Sequence, residues 1–526
     1  MPRVLISDEL SPAAIAVFKQ RGVDVDVNTG LKKDELLRII GQYDGLAVRS
    51  ATKADKDVIA AATNLKVIGR AGIGVDNIDI PAATQRGIVV MNTPFGNSIT
   101  TAEHAIALMF AAARQVPAAD VSTQKGEWKK SHFEKKGVEL FAKTLGLIGC
   151  GNIGSIVAER AIGLRMKVIA YDPFLSEERA IEIGVEKVEL EPLLSRADVI
   201  SLHVPLTEKT KNILSAETLS RTKKGVILVN AARGGLVDEA ALRALLESGH
   251  VHAAGFDVFT VEPAKENVLF GAPNFIATPH LGAATMEAQE NVALQVAEQM
   301  SDFLVAGAVT NALNMPNITA EEAPRLRPYA KLAEQLGLFA GQIVEEGLEA
   351  VAIIYEGDVA RVNTKPLTAA ALAGLLRPML AEVNMVSAPA LLKERGTPLT
   401  ESKRESSPTY DSLIRIRVQT AGGWRGLAGI VIAGEPRIVE LKGMPLEAAF
   451  HHTMLYVNSI DKPGFIGALG TILGEARINI ATFNLGRAEE GGEAVLLAGV
   501  DQTVAEDVLA SIRALPQVRY ARALRF

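Results

Sequence analysis

The sequence predicts an α/β protein of two doubly wound parallel-sheet lobes, followed by a mixed α+β domain and a small βαββαβ domain. Three observations lead to this fold class. Short apolar runs alternate with helical stretches in the first part of the chain, the texture changes near Met315, and residues 453–526 follow a strand–helix–strand order. A chain of 526 residues has room for three or four domains at about 150 residues each.

The first lobe begins with the apolar runs "RVLIS", "VDVDV", "GLAVRS", "LKVIG" and "GIVVM". Helical stretches over residues 12–20 and 33–40 separate the first three runs, which predicts a parallel sheet wrapped by helices. Pro94 and Gly96 then interrupt the backbone before a long apolar helix expected over residues 101–114. We predict that Asn97 and Ser98 form part of a hinge that leads into a second lobe.

The second lobe begins at "KTLGLIGCGNIG" and continues through "KVIAYDP", "ADVISLHVP", "GVILVNAARGG", "HAAGFDVF" and "NFIATPH". These near-continuous apolar runs are typical of parallel strands buried on both faces. A long helix in "GAATMEAQENVALQVAEQMSDFLVAG" is expected to return the chain to the first lobe. The sequence therefore predicts a discontinuous first lobe over residues 1–98 and 283–314, a second lobe over residues 99–282, and a cleft between them.

The remaining chain is assigned to two further domains. Residues 315–452 combine the helical stretch "YAKLAEQLGLFAGQIVEE" with the paired strands "SLIRIRVQT" and "GLAGIVIAG", which indicates a mixed α+β domain. The polar segment over residues 393–410 is expected to be an exposed loop. Residues 453–526 predict a βαββαβ order with helices over residues 465–476 and 504–514, an arrangement typical of small regulatory modules.

Composition excludes several classes of protein. The 55 Lys and Arg residues against 61 Asp and Glu give a net charge of −6, which argues against nucleic acid or an anionic membrane as a partner. The single cysteine, Cys150, excludes an intrachain disulfide and a cysteine-based zinc site. The start of the chain lacks a signal-peptide pattern, and the 8 histidines form no ligand set. We therefore predict a cytoplasmic protein without a metal.

A glycine motif opens the second lobe. Gly149, Gly151 and Gly154 have G-x-G-x-x-G spacing between an apolar strand and a helix, where backbone amides can approach a pyrophosphate. An ordinary glycine-rich turn is the alternative. Asp172 ends the next strand, about twenty residues on, where a carboxylate accepts hydrogen bonds from the adenosine ribose of a dinucleotide. Since this carboxylate would repel a 2′-phosphate, the motif predicts a Rossmann lobe that binds NAD rather than NADP.

Three polar residues follow successive strands of this lobe: Arg233, Glu262 and His280. The carboxyl ends of parallel strands line the ligand crevice of an open sheet. Taken singly, Arg233 is explained as a surface charge, Glu262 as a turn residue and His280 as a helix cap. Together they suit hydride transfer, because histidine takes the hydroxyl proton, a carboxylate orients the imidazole, and guanidinium binds an α-carboxylate.

The segments "GLIGCGNIG", "YDP", "HVPLTEKTKNIL", "LVNAARGGLVDEAAL", "AAGFDVFTVEP" and "ATPHLGAATMEA" resemble the D-isomer-specific 2-hydroxyacid dehydrogenase family over residues 1–314. The rest of the chain resembles the long form of its branch that acts on 3-phosphoglycerate, with an intervening domain and an ACT domain. The resemblance implies NAD-dependent oxidation of 3-phospho-D-glycerate to 3-phosphohydroxypyruvate, the first step of phosphorylated L-serine biosynthesis. It also implies Arg233, Glu262 and His280 as the catalytic group, and a homotetramer or homodimer.

The same resemblance implies further contacts, which fall into three sets. The cofactor set comprises Gly149, Gly151, Asn152, Ile153, Gly154, Asp172, Pro205, Thr210, Ala231 and Asp257. The substrate set comprises Arg49, Arg70, Gly72, Ile73, Gly74 and Asn97, with Lys129 and Lys130 as further candidates for the phosphate. The effector set, for L-serine, comprises Asp461 and Asn479. A loop aspartate and a strand-start asparagine are the alternative there, and Ser459 stands where some relatives carry histidine.

Two other functions stay open on the sequence. A relative that acts on hydroxypyruvate or glyoxylate would carry the same core motifs, although Arg49, Arg70 and the ACT-like module favour a phosphorylated substrate. An NAD(H)-sensing binding protein of the same fold can also retain the catalytic residues. Turnover of phosphohydroxypyruvate with NADH distinguishes the enzyme from the sensor.

Overall fold

Four β-sheets organise the chain in the computed structural model, which describes residues 1–319, 321–344, 347–380 and 383–526. The α/β fold class predicted from the sequence is confirmed. Among the described residues, no helix combines the length and the apolar character needed to cross a membrane.

The first lobe is a five-stranded parallel sheet in the order β2-β1-β3-β4-β5. Its strands are β1 (Arg3–Ile6), β2 (Asp24–Val27), β3 (Gly45–Val48), β4 (Val67–Arg70) and β5 (Val89–Asn92). Its helices are α1 (Pro12–Gln20), α2 (Lys33–Ile39), α3 (Lys56–Ala61) and α4 (Ile80–Gln85), with a 3₁₀ turn at Ile40–Gln42. α1 begins where predicted because Ser11 caps it and Pro12 fits the first turn.

The second lobe is a seven-stranded parallel sheet in the order β12-β11-β10-β9-β6-β7-β8. Its strands are β6 (Thr144–Ile148), β7 (Lys167–Tyr171), β8 (Glu186–Lys187), β9 (Val199–Leu202), β10 (Val226–Asn230), β11 (Val251–Phe256) and β12 (Phe275–Ala277). Its helices are α5 (Ser98–Arg114), α6 (Val116–Gln124), α7 (Lys130–Glu134), α8 (Asn152–Gly163), α9 (Glu177–Ile183), α10 (Leu190–Arg196), α11 (Ala216–Ser220) and α12 (Glu239–Ser248).

Two helices connect the lobes. The chain enters the second lobe through α5, and α13 (Met286–Ala306) carries it back to pack on α1 and β4 of the first. The return is close: a side chain at Gly69 of β4 would overlap Val296 and Met300 of α13. α13 thus packs with the first sheet, and the domain bounds expected from the sequence stay a prediction.

The intervening domain has a mixed six-stranded sheet in the order β14-β13-β15-β16-β17-β18. Its strands are β13 (Ala350–Gly357), β14 (Leu399–Arg404), β15 (Ser412–Thr420), β16 (Gly423–Ile432), β17 (Glu435–Leu441) and β18 (Met444–Ala449). Its helices are α14 (Ala323–Gln342), α15 (Lys365–Leu376) and α16 (Ala388–Glu394), with a 3₁₀ turn at Asp358–Arg361. The helical stretch expected up to Glu346 ends earlier in the structure, and Glu345 and Glu346 lie outside the described residues.

The expectation of a loop over residues 393–410 is wrong for its central part. Residues Leu399–Arg404 form β14, which pairs in parallel with β13 at the edge of the sheet. All six of its side chains are exposed, so the segment shows no alternation of apolar and polar residues. Backbone pairing with β13 alone makes it a strand, and a sequence pattern of side chains cannot detect that.

The C-terminal domain has a four-stranded sheet in the order β20-β21-β19-β22. Its elements follow the predicted βαββαβ order: β19 (Thr453–Ile460), α17 (Phe465–Glu475), β20 (Ile480–Arg487), β21 (Glu493–Val500), α18 (Glu506–Arg513) and β22 (Val518–Arg525). The domain packs against the intervening domain through aromatic side chains, with the rings of Phe339 and Tyr456 centred 5.7 Å apart.

Candidate active site

A cleft of about 1190 Å³ lies between the two lobes. Residues from both lobes line it, including Arg49, Lys53, Arg70, Gly72, Gly74, Asp76, Asn77 and Asn97 from the first lobe and hinge, and Arg233, Asp257, Glu262, Thr278, His280 and Gln289 from the second lobe and the start of α13. The three predicted catalytic side chains thus share one cleft. The volume leaves room for a small acid and one end of a dinucleotide.

The turn between β6 and α8 contains three glycines, two of which the fold requires and one of which only a ligand requires. Gly149 has φ +95°, a conformation that favours glycine. A side chain at this position would in addition overlap the His203 carbonyl. A side chain at Gly154 would overlap the Gly149 carbonyl, so this glycine permits close packing of helix on strand. At Gly151, no described residue other than its two chain neighbours has an atom within 4 Å of the position a side chain would take. The fold does not require glycine there, whereas a pyrophosphate approaching the backbone does.

Asp172 lies directly after β7 and is tied to the glycine turn. Its Oδ2 accepts a hydrogen bond from Cys150 N at 2.8 Å, and its Oδ1 accepts one from Phe174 N, also at 2.8 Å. The carboxylate is therefore held next to the turn without being fully buried. This position suits a partner for ribose hydroxyls.

The other predicted cofactor residues lie around the same sheet edge. Asn152 and Ile153 form the first turn of α8, and Ala231 is buried just after β10. Pro205 and Thr210 belong to the loop after β9, where Thr210 Oγ1 donates to the Pro205 carbonyl at 2.6 Å. These residues follow the carboxyl ends of neighbouring strands, as a dinucleotide site of this topology requires.

His280 and Glu262 form a hydrogen-bonded pair inside the cleft. His280 Nδ1 lies 2.7 Å from Glu262 Oε2, while Phe259 N donates to Glu262 Oε1 at 2.9 Å. The hydrogen bond to Glu262 raises the pKa of His280 above its ordinary value, although burial acts in the opposite direction. Burial tends to raise the pKa of Glu262, but the hydrogen bonds from His280 and Phe259 outweigh it and hold that pKa low. The pair therefore stabilises the imidazolium form of His280 more than water would stabilise that of an isolated histidine.

Asp257 supports the loop that carries His280. Its side chain is fully buried, and its carboxylate accepts hydrogen bonds from Thr278 Oγ1, Leu281 N and Gly282 N at 2.6–2.8 Å. Burial would raise the pKa of Asp257, but hydrogen bonds from His104, Thr278 and the backbone lower it overall. Asp257 also lines the cleft, and the cofactor contact predicted for it stays a prediction.

Arg233 reaches across the cleft towards the first lobe. Its Nε donates to Asp76 Oδ2 at 3.1 Å, and its Nη1 donates to the Ala232 carbonyl at 2.7 Å. The guanidinium passes so close to Gly74 that any side chain there would overlap Nη2. These partners fix the guanidinium plane and leave Nη2 directed at the loop of Gly72, Ile73 and Gly74, whose backbone amides are predicted to receive the substrate carboxylate.

Cations gather on the first-lobe side of the cleft. Arg49 follows β3, Arg70 ends β4, and Lys53 lies on the loop between them. Burial, together with the charges of Arg233 and Arg49, lowers the pKa of Arg70 to about 10, so Arg70 keeps its charge at neutral pH. Among the described residues, Arg70 Nε and Asn97 Oδ1 are buried polar atoms without a hydrogen-bond partner. The cleft thus offers an anion positive charge and one unused donor, Arg70 Nε, whereas Asn97 Oδ1 is an acceptor.

Some predicted residues lie elsewhere. Lys129 pairs with Glu127 at 2.6 Å and does not line the cleft in the structure as described, and neither does Lys130 at the start of α7. Ile73 uses its carbonyl to accept a hydrogen bond from Asn92 Nδ2 at 2.7 Å.

The predicted effector residues lie in the C-terminal domain. There Asp461 accepts a hydrogen bond from Arg487 at 2.9 Å, and Asn479 donates one to Asp501 at 2.6 Å. Both proposed effector residues thus have partners within their own domain.

The structure adds residues to the site that the sequence did not single out: Lys53, Asp76, His104 and Gln289. A signal existed for His104. Asn97, Thr101 and His104 have i, i+4, i+7 spacing, which places these three polar residues on one face at the start of the helix. Asp76 gave no such signal, because its partner Arg233 comes 157 positions later in the chain.

Comparison with known proteins gives consistent matches along the chain. Family models match residues 106–282 as the NAD-binding domain of D-isomer-specific 2-hydroxyacid dehydrogenases, residues 325–442 as the D-3-phosphoglycerate dehydrogenase intervening domain, and residues 453–517 as an ACT domain. D-3-phosphoglycerate dehydrogenase of Methanocaldococcus jannaschii is 43% identical over 521 residues, 99% of each chain.

Solved structures resemble the two lobes. NAD⁺-bound 3-phosphoglycerate dehydrogenase of Entamoeba histolytica matches with a TM-score of 0.51 and 32% identity, covering 60% of this chain and 98% of that one. A glyoxylate reductase from Paecilomyes thermophila matches with a TM-score of 0.55 and 31% identity, covering 59% of this chain and 98% of that one. The two lobes alone therefore resemble enzymes with different substrates.

Proposed function

Because the chain belongs to the D-isomer-specific 2-hydroxyacid dehydrogenase family, we infer that its cleft carries out the NAD-dependent oxidation of 3-phospho-D-glycerate to 3-phosphohydroxypyruvate. This reaction opens the phosphorylated route to L-serine. The observation that carries the inference is one cleft that holds the His280–Glu262 pair, Arg233 and a cluster of cations. This substrate needs an acid–base pair for its hydroxyl group and binding groups for its carboxylate and its phosphate.

The residues around the glycine turn fit NAD. The space beside Gly151 is open to a pyrophosphate, and the Asp172 carboxylate stands next to the turn, where it can accept from ribose hydroxyls. When bound, NAD accepts the hydride that leaves C2 of the substrate. Pro205, Thr210 and Ala231 are proposed as further contacts on the same sheet edge.

His280 is proposed as the general base. Since a carboxylate has no hydrogen to donate, the hydrogen between His280 Nδ1 and Glu262 belongs to Nδ1, which leaves Nε2 free to accept the C2 hydroxyl proton. Glu262 then stabilises the imidazolium that forms, in keeping with the raised pKa of His280. In the reverse direction, the protonated imidazole donates to the ketone oxygen.

Arg233 is proposed to orient the substrate carboxylate. Its fork geometry pairs two oxygens at once, and Asp76 and the Ala232 carbonyl already fix its plane. The guanidinium lies against Gly74, so the amides of this loop are proposed to share the same carboxylate. The Gly72 amide already donates to Thr93 Oγ1 at 2.6 Å, which leaves the proposed role to Ile73 and Gly74. Arg49, Arg70 and Lys53 are then left for the phosphate, at the first-lobe side of the cleft.

A substrate panel tests the proposed function. We expect NADH to be consumed with phosphohydroxypyruvate at a kcat/KM well above that for hydroxypyruvate or glyoxylate, because neither of these fills the cation cluster. Equal values for all three would favour a general 2-hydroxyacid dehydrogenase. NADH binding without turnover of any of them would favour a sensor.

The C-terminal domain is proposed to bind L-serine as a feedback effector, with Asp461 and Asn479 as contacts. An ACT domain and a biosynthetic reaction leading to serine support this proposal. The Asp461–Arg487 pair would have to open to admit the amino group of the ligand. Turnover that is unchanged by L-serine would remove the proposal. A cytoplasmic location and a homodimeric or homotetrameric assembly are proposed by analogy with relatives.

A further inference from the structure

We infer that His104 is a positioning residue that holds the loop of His280 in its working geometry. The inference rests on the proposed acid–base role of His280 and extends it to a residue outside the reacting group. His104 lies in α5, the helix that follows the cleft residue Asn97, and its side chain is only 18% exposed. The proposed mechanism does not otherwise use it.

The hydrogen bonds around His104 define its role as a donor. His104 Nε2 lies 3.1 Å from Thr278 Oγ1 and 3.2 Å from Asp257 Oδ1. Thr278 Oγ1 donates its hydrogen to Asp257 Oδ1 at 2.6 Å, and the ionised carboxylate has none to give. His104 Nε2 must therefore carry the hydrogen that faces both oxygens. A buried carboxylate without its donors is costly, so this hydrogen helps to keep Asp257 in place.

Asp257 in turn fixes the backbone on both sides of His280. Its carboxylate accepts from Leu281 N at 2.7 Å and Gly282 N at 2.8 Å, and its carbonyl accepts from His280 N at 2.9 Å. His280 has φ +58°, a left-handed conformation that a non-glycine residue keeps only when its surroundings enforce it. The loop around His280 therefore depends on the position of the Asp257 carboxylate.

The helix α5 holds this loop at two points. Thr101 lies one turn before His104, and its Oγ1 is 3.0 Å from the Gly282 carbonyl and 2.9 Å from the Asn97 carbonyl, so its single hydrogen is shared between them. His104 holds the other end of the loop through Thr278. The helix that enters the second lobe thereby sets where the imidazole of His280 stands relative to the cleft.

Replacing the donor tests the inference. In His104→Phe a ring remains but no hydrogen faces Thr278 and Asp257, so the loop can shift and misplace His280. We expect kcat to fall by about tenfold or more, because proton transfer requires close placement of the reacting atoms. NADH affinity should stay within about twofold, since the glycine turn is untouched. His104→Gln, which returns an N–H donor, should recover most of the lost kcat.

The measurements are steady-state reduction of phosphohydroxypyruvate and fluorescence titration of NADH, with Glu103→Gln as the control. Glu103 lies on the exposed face of the same helix, so this variant should match the parent protein. A His104→Phe variant with parental kcat overturns the inference. So does a loss of kcat that matches a loss of NADH-binding sites, and so does a His104→Gln variant as impaired as His104→Phe.

Two further variants keep the test decisive. If His104→Phe yields no folded protein, Thr278→Val breaks the same link from the loop side, and parental kcat in that variant overturns the inference. His280→Asn separates this inference from the proposed function. Parental turnover in His280→Asn refutes both, whereas an impaired His280→Asn beside an unaffected His104→Phe refutes the positioning role alone.

Discussion

At the residue scale, the chemistry concentrates in His280, whose free ring nitrogen is the proposed base. In His280→Asn the general acid–base group is lost while the glycine turn and Asp172 remain. We expect kcat to fall by about 10²–10⁴-fold, the range typical of general acid–base catalysis. NADH affinity measured by fluorescence titration should change little. A variant that keeps the parental kcat would refute the assignment of His280.

The pKa of His280 leads to a second residue-scale prediction. Reduction of the ketone needs protonated His280, so kcat/KM in that direction is present below its pKa and is lost as pH rises through it. Because the hydrogen bond to Glu262 raises this pKa, Glu262→Gln should move the falling limb to lower pH. A pH profile of kcat/KM for phosphohydroxypyruvate measures the shift. A limb that stays in place would show that Glu262 does not control the protonation of His280.

The sequence indicated the proposed catalytic residues but not how they are supported. Arg233, Glu262 and His280 were found because each follows an apolar strand, and parallel strands end at one edge of a sheet. Asp76 and His104 act through contacts between distant parts of the chain, and no local pattern relates them to their partners. For Asp257, the resemblance to the family implies a cofactor contact, and its burial and its hydrogen bonds to Thr278 and the backbone appear only in three dimensions.

At the scale of the element, the glycine turn separates ligand binding from folding. Gly151→Ala adds a methyl group where no described residue beyond its two chain neighbours comes within 4 Å, so the fold should tolerate it. We expect NADH affinity to fall by about tenfold or more with little change in melting temperature, since the methyl group meets the pyrophosphate instead of the protein.

Gly154→Ala is the matched control for that prediction. Its methyl group would overlap the Gly149 carbonyl, so we expect a loss of stability of about 1–3 kcal/mol from overpacking. Thermal melts and NADH titrations of the two variants should therefore diverge. If both variants lost stability alike, the distinction between a ligand-required and a fold-required glycine would be wrong.

Helices and strands were predictable where the sequence shows a periodic pattern of apolar residues or a cap. They were missed where only backbone hydrogen bonds define the element. α1 matched its expected bounds because a serine cap and a proline mark its start. β14 was missed because its six exposed side chains carry no apolar alternation. The close contact of α14 with α15 was also not predicted from the sequence. Gly337, Gly341 and Gly374 allow the two helix backbones to touch, but a single glycine in a helix does not indicate which element packs against it.

At the scale of the whole molecule, the buried residues form several hydrophobic cores, and one of these cores includes residues of more than one domain. One core runs from the first sheet through α13 into the intervening and C-terminal domains, and includes Val4, Val296, Leu336 and Tyr456. The second lobe has two cores of its own, on the two faces of its sheet, which contain residues such as Val157 and Leu228. The first lobe is thus joined by packing to the C-terminal half more extensively than the chain order implies.

This division predicts two steps in thermal unfolding. NADH binds to the second lobe, and ligand at 100 times its dissociation constant stabilises a binding domain by about 2.7 kcal/mol. In calorimetry we therefore expect NADH to raise one transition, that of the second lobe, and to leave the other nearly in place. Gly374→Leu, which forces α14 and α15 apart, should lower only the other transition. The prediction is wrong if calorimetry shows a single transition that NADH raises and Gly374→Leu lowers. In that case contacts across the cleft, together with α5 and α13, couple the lobes so tightly that they unfold together despite their separate cores.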